Sequence, residues 1–139
     1  MMTAGGTITV DNAGAGNAIA AAGSGVITLD ALGTASDLLV NDGILSANGA
    51  IFMAAFNDVI FEADGDIAST ASNVRVRADA DNGGTSSGAL TMVDGTVINA
   101  GSGTIEFFAD ENITVGQVTT SNTSATAVTL TSAEGGIVD

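Results

Sequence analysis

The 139-residue chain has no cysteine, proline, tryptophan, tyrosine or histidine, and only two basic residues, Arg75 and Arg77, against 16 acidic ones. Each absence narrows the field. Without cysteine there is no disulfide framework and no thiol chemistry. Without histidine or tyrosine, and with so few bases, the usual participants in proton transfer are missing, which argues against a polysaccharide lyase. The net charge of −14 argues against nucleic-acid binding, because phosphate neutralisation needs Lys and Arg. It argues equally against docking on an anionic membrane. No apolar run approaches the roughly 18 residues of a membrane span, so no membrane insertion is expected. The start, Met1-Met2-Thr-Ala-Gly-Gly, has neither a basic nor an apolar signal region, so an export signal would lie outside this segment. The lack of proline leaves every backbone N–H available for a hydrogen-bonded ladder.

What remains is 45% hydrophobic, with 19 glycines and much Ala, Ser, Thr, Asn and Asp. Its order is periodic. β-Branched residues at Ile8, Ile27, Ile51, Val74, Ile105 and Val128 open the segments ITVDN, ITLDA, IFMAA, VRVRA, IEFFA and VTLTS, at successive spacings of 19, 24, 23, 31 and 23. A recurring period of about 20–50 residues is the mark of a solenoid, propeller or array. Strand side chains alternate between faces, so the first, third and fifth residue of each segment share one side. That side is Ile or Val, then a large apolar residue (Leu29, Met53, Val76, Phe107), then a small one (Ala31, Ala55, Ala78, Ala109). The opposite side is mixed. A narrow stacked core requires this one-sided pattern, and Ile8 to Val128 are expected to pile in one file.

A second strand follows in DLLVN, DVIFE, ALTMV and NITVG, and a third follows Gly43, Gly65, Gly95 and Gly116. Glycine at these corners is expected to supply positive-φ conformations. The reading is all-β: one right-handed parallel β-helix of about five three-stranded turns, spanning roughly 24 Å at about 4.8 Å per turn. Residues 1–22 form a degenerate first turn; 23–47, 48–70, 71–100 and 101–126 are repeat units; 127–139 begin another. Helix propensity over Asn17 to Ala22 amounts to about one turn, too short to stand alone. The insertion DADNGGTSSG, Asp79 to Gly88, should leave the stack at a corner. No amphipathic capping helix is visible at either end, so the coils are expected to continue in a longer chain or to stack on neighbouring copies.

The segments GSGVITLDA, NGAIFMAAFNDVIFEADGDI and GSGTIEFFADENITVG resemble the degenerate repeats of filamentous-haemagglutinin-like exoproteins and autotransporter passenger domains. The likeness covers most of residues 23–139 and rests on repeat texture. It implies a β-helical shaft exported to the bacterial cell surface, acting as a stalk, filament subunit or adhesive fibre, with host or surface glycans as partners. It supplies no catalytic or binding residues. The alternative is a carbohydrate-binding or carbohydrate-active β-helix.

No catalytic, cofactor or metal residues are expected. The calcium reading is a column of Asp42, Asp64 and Asp94, each before a glycine, with Asp66 and Glu62 adding oxygens. Ordinary Asp-Gly turn chemistry accounts for the same residues. Asp79-Ala-Asp81-Asn82-Gly-Gly lacks the spacing of a calcium loop. Glycoside hydrolysis would need a carboxylate pair, and none is marked out. Arg75 is expected to face Glu106 on the outer surface, and Arg77 to lie beside Phe108. Thr9, Thr28, Thr129 and Thr131 evoke an ice-binding rank, but Phe52, Arg75 and Glu106 interrupt it. Phe52 and Phe108 should point outward, either into a lateral contact or beneath the loops.

Overall fold

Three-residue alternation recurs through the chain, and in the computed structural model, which describes residues 1–81 and 88–139, each such stretch is a strand. The first coil is β1 (Met2–Ala4), β2 (Ile8–Val10) and β3 (Ile19–Ala21). The second is β4 (Ile27–Ala31), β5 (Leu38–Val40) and β6 (Ile44–Ser46); the third is β7 (Ile51–Ala55), β8 (Val59–Phe61) and β9 (Ile67–Ser69). The fourth is β10 (Val74–Arg77), β11 (Leu90–Met92) and β12 (Val97–Asn99); the fifth is β13 (Ile105–Ala109), β14 (Ile113–Thr114) and β15 (Gln117–Thr119). Strands β16 (Val128–Ser132) and β17 (Ile137–Val138) begin a sixth.

Every strand pairs in parallel with its counterpart one coil away. The result is two six-stranded sheets, A (β1-β4-β7-β10-β13-β16) and B (β2-β5-β8-β11-β14-β17), and a five-stranded sheet C (β3-β6-β9-β12-β15). The protein is an all-β parallel solenoid of about five turns, with no helix among the described residues. Asn17 to Ala22 contains β3, because the backbone there pairs with β6.

The interior is built from files of stacked side chains. Sheet A contributes Ile27, Ile51, Val74 and Ile105, then Leu29, Met53, Val76 and Phe107, then four alanines at the narrow corner, all buried. Sheet B contributes Leu38, Val59, Leu90 and Ile113 beside Val40, Phe61 and Met92; sheet C contributes Ile44, Ile67 and Ile98. Bulk is balanced within each coil. The third coil has its one inward phenylalanine, Phe61, on sheet B, and the fifth has Phe107 on sheet A. Close packing leaves little room for both in one layer. Each large buried side chain contributes roughly 1.5–3 kcal/mol.

The first coil corrects the expected register. Ile8 does not head the file of Ile27; it pairs with Leu38 in sheet B, and Met2 pairs with Leu29 in sheet A. The segment GTITVDN is therefore a second strand, not a first. The file expected of six residues runs through Ile27, Ile51, Val74, Ile105 and Val128 only. Alternation marks which side faces inward but is silent on which of three sheets a strand joins. The long glycine-rich link between β2 and β3 disguised the coil's true length.

The corner glycines also act differently from expectation. Of Gly43, Gly65, Gly95 and Gly116, only Gly95 has a positive φ, at 103°. Gly65 is required by crowding, since a Cβ there would run into the Val40 carbonyl of the coil below.

Polar side chains bind coil to coil at the corner between sheets A and B. Thr7 Oγ1 accepts the Asp37 N–H (3.2 Å), Asp37 Oδ1 accepts the Asp58 N–H (3.2 Å), Asp58 Oδ1 accepts the Ala89 N–H (2.8 Å), and Asn112 Oδ1 accepts the Gly136 N–H (2.8 Å). Corner C–A has the same device, with Asn73 Oδ1 accepting the Thr104 N–H (3.1 Å), and adds buried hydroxyls: Ser69 Oγ donates to the Gly49 carbonyl (3.3 Å) and accepts the Ser72 N–H (3.2 Å). The insertion leaves and returns at the A–B corner. Ala80 N–H donates to the Ala55 carbonyl (2.8 Å) and Glu111 N–H to the Gly88 carbonyl (3.1 Å). Residues 82–87 of the insertion lie outside the described residues.

Candidate functional site

The outer face of sheet A is the chemically mixed one. Pleating places two files there. One runs Thr28, Phe52, Arg75, Glu106, Thr129; the other runs Thr3, Asp30, Ala54, Arg77, Phe108, Thr131. Both cations of the chain therefore sit on one face of one strand, β10. The expected Arg75–Glu106 pair forms, with Nε to Oε2 at 3.6 Å. Both side chains are 52% exposed, so the pair contributes about 0–1 kcal/mol. The Arg77 guanidinium lies over the Phe108 ring, 5.1 Å from its centroid, and half-buries it. Phe52 points outward and stays 38% exposed.

These residues enclose a depression of about 340 Å³, lined by Asp30, Phe52, Met53, Ala54, Arg75, Arg77 and Ala80. Its cause is a size difference within one file. Ala54 stands between Asp30 and Arg77, so the middle coil is low where its neighbours are tall. The sequence placed the two arginines on this face but gave no sign of a hollow, which depends on three coils being in register.

The acidic residues gather elsewhere. A polar groove of about 490 Å³ at the corner between sheets B and C is lined by residues including Asp11, Asp42, Asp64 and Asp66. Asp94 is not among them, and the three Asp-Gly carboxylates do not form one file. Phe61 pairs with Met92, so Asp64 lies three residues past one partner and Asp94 only two past the other. Two groove carboxylates already accept backbone N–H groups: Asp42 Oδ1 that of the neighbouring Gly43 and Asp66 Oδ1 that of Val97 in the next coil, each at 2.7 Å. Among the described residues no three acidic side chains are grouped to hold a metal ion. Thr9, expected in the threonine rank, lies on sheet B opposite Leu39.

The two end coils carry the third feature. Inward files that are buried in the middle of the solenoid remain apolar in the end coils. Val128 continues the file of Ile105, and Ile137 and Val138 extend sheet B beyond Ile113 and Thr114. Ile113 is fully buried, but Ile137 is 51% exposed. At the other end Met2 extends the file of Leu29 and is 50% exposed.

No family model, curated protein or solved structure matches this chain.

The largest contribution missed by sequence reasoning is the corner ladder. Asp37 and Asp58 each accept a backbone N–H from the next coil. The signal was an Asp or Asn directly before the second strand in DLLVN, DVIFE and NITVG.

Proposed function

We propose that the chain is a non-enzymatic structural module: a shaft or filament segment of an extracellular adhesin-type protein whose end coils are covered by further solenoid coils, of a longer chain or of a second copy. The observation that supports this is the apolar character of the end coils, where Val128 and Ile137 repeat the residue types that are buried in every inner coil. Stacking one more coil would cover them and pair the free backbone edges of β16 and β17. Two end faces of different shape make a head-to-tail contact, which propagates into a filament instead of closing. A cell-surface location accords with the resemblance of residues 23–139 to exported repeat proteins and with a highly soluble net charge of −14.

Electron microscopy and sedimentation of the purified chain test the reading. The expected result is rods many times the roughly 24–29 Å height of one solenoid. Val128→Asp combined with Ile137→Asp should return them to single units with the β-sheet spectrum intact. Single units at every concentration, with a melting temperature unmoved by the double substitution, would refute end-to-end stacking.

A further inference from the structure

The hollow on sheet A is not needed by a shaft, and it differs from the rest of the surface. We infer that it is a binding site for a neutral saccharide, whose sugar ring lies on Phe52 and whose hydroxyls are held by Asp30 and Arg75.

Four observations converge. First, the volume of about 340 Å³ lies at the lower end of ligand pockets, which run from about 300 to 1,000 Å³. The gap between Asp30 and Arg77 spans two coil spacings, about 10 Å, room for one or two pyranose rings. Second, Phe52 leaves an aromatic wall 38% exposed in the middle coil, away from the end faces. An aromatic face with an apolar body suits the C–H face of a sugar. Third, the polar groups are of opposite kinds. A carboxylate only accepts and a guanidinium only donates, through five N–H groups, whereas a sugar hydroxyl does both. Asp30 on the second coil and Arg75 on the fourth, on either side of the coil that carries Phe52, therefore match hydroxyls at opposite ends of a sugar, and a single 3.6 Å contact to Glu106 leaves Arg75 donors to spare.

Fourth, the charge decides between sugar classes. Arg75 and Arg77 are matched by Asp30 and Glu106, with Asp79 and Asp81 on either side of the lining residue Ala80, so no net positive charge is left here on a molecule of net charge −14. An acidic sugar, a phosphate or an acidic peptide would approach against the field of the whole protein. A neutral ring would not. The site is independent of how the end coils stack, so filament formation and sugar binding can fail separately.

The test is an array of neutral gluco-, galacto- and manno-oligosaccharides, with uronate- and sialate-terminated chains as comparators, followed by calorimetry with the best binder. Neutral saccharides should bind, with affinity unchanged in about 0.5 M salt, where surface charge is screened. Phe52→Ala and Asp30→Asn should each weaken binding about tenfold or more. Thr129→Ala, in the same file but outside the hollow, should leave it unchanged. Phe52→Leu, which keeps apolar bulk and removes the ring, serves if the alanine variant misfolds, and should weaken binding as much. The inference is overturned if no neutral saccharide binds, if acidic ones bind in a salt-sensitive manner instead, or if loss of the Phe52 ring has no effect.

Discussion

At the residue scale, the acidic side chains of this protein divide into two kinds. Most are solvated, but Asp37 and Asp58 at the A–B corner and Asp66 at the B–C corner hold the backbone of the next coil. A hydrogen bond to a charged acceptor is worth more than a neutral one, and a partly buried N–H left unpaired costs about 1–3 kcal/mol. Asp58→Ala should therefore lower stability by about 1–2 kcal/mol in urea titration, whereas Asp58→Asn, which keeps the acceptor oxygen, should cost a fraction of that. Equal losses for the two variants would mean that the ladder geometry contributes nothing. The same logic explains why Ala89 interrupts the file. It offers its N–H to Asp58 but has no side-chain oxygen for the Asn112 N–H above it.

At the scale of the strand, the solenoid is sensitive to volume in both directions. Phe61 on β8 is fully buried and is the only inward aromatic of its coil. Phe61→Ala should cost about 3–5 kcal/mol through the cavity it leaves. Ala55, at the end of β7, is fully buried where sheets A and B converge, so Ala55→Leu should cost about 1–3 kcal/mol by overpacking. Chemical denaturation of both variants checks the pair. A neutral Ala55→Leu would show that the alanine file reflects tolerance and not a narrow corner. The outward residues of these strands should be far more permissive, which is why Phe52 calls for an explanation by binding and Phe61 does not.

For the whole molecule, contacts run almost entirely between adjacent coils, because each strand has neighbours only one coil above and one below. Stability is then close to a sum over coil interfaces. Removing residues 127–139 should preserve the β-sheet circular dichroism of the remaining coils and lower the melting temperature modestly. Complete unfolding on that truncation would show coupling beyond the nearest coil. The three surfaces are also separate by construction: the mixed face of sheet A, the acidic groove at the B–C corner and the apolar ends lie on different sides of one rod.

The sequence by itself determined the architecture. Period-two alternation named the inward residues of Ile27–Ala31, Ile51–Ala55 and Ile105–Ala109, the spacing named the coils, and the Arg75–Glu106 and Arg77–Phe108 contacts followed from aligning them. Only the tertiary structure decided the rest. Ile8 joined sheet B because alternation carries no information about which of three faces a strand enters; corner length sets that. The offset of Asp94 from Asp64 arose in the same way, from a corner one residue out of step. The hollow beside Phe52 exists only because Asp30, Ala54 and Arg77, distant in the chain, stand in one file, and such a relation between coils is invisible until they are stacked.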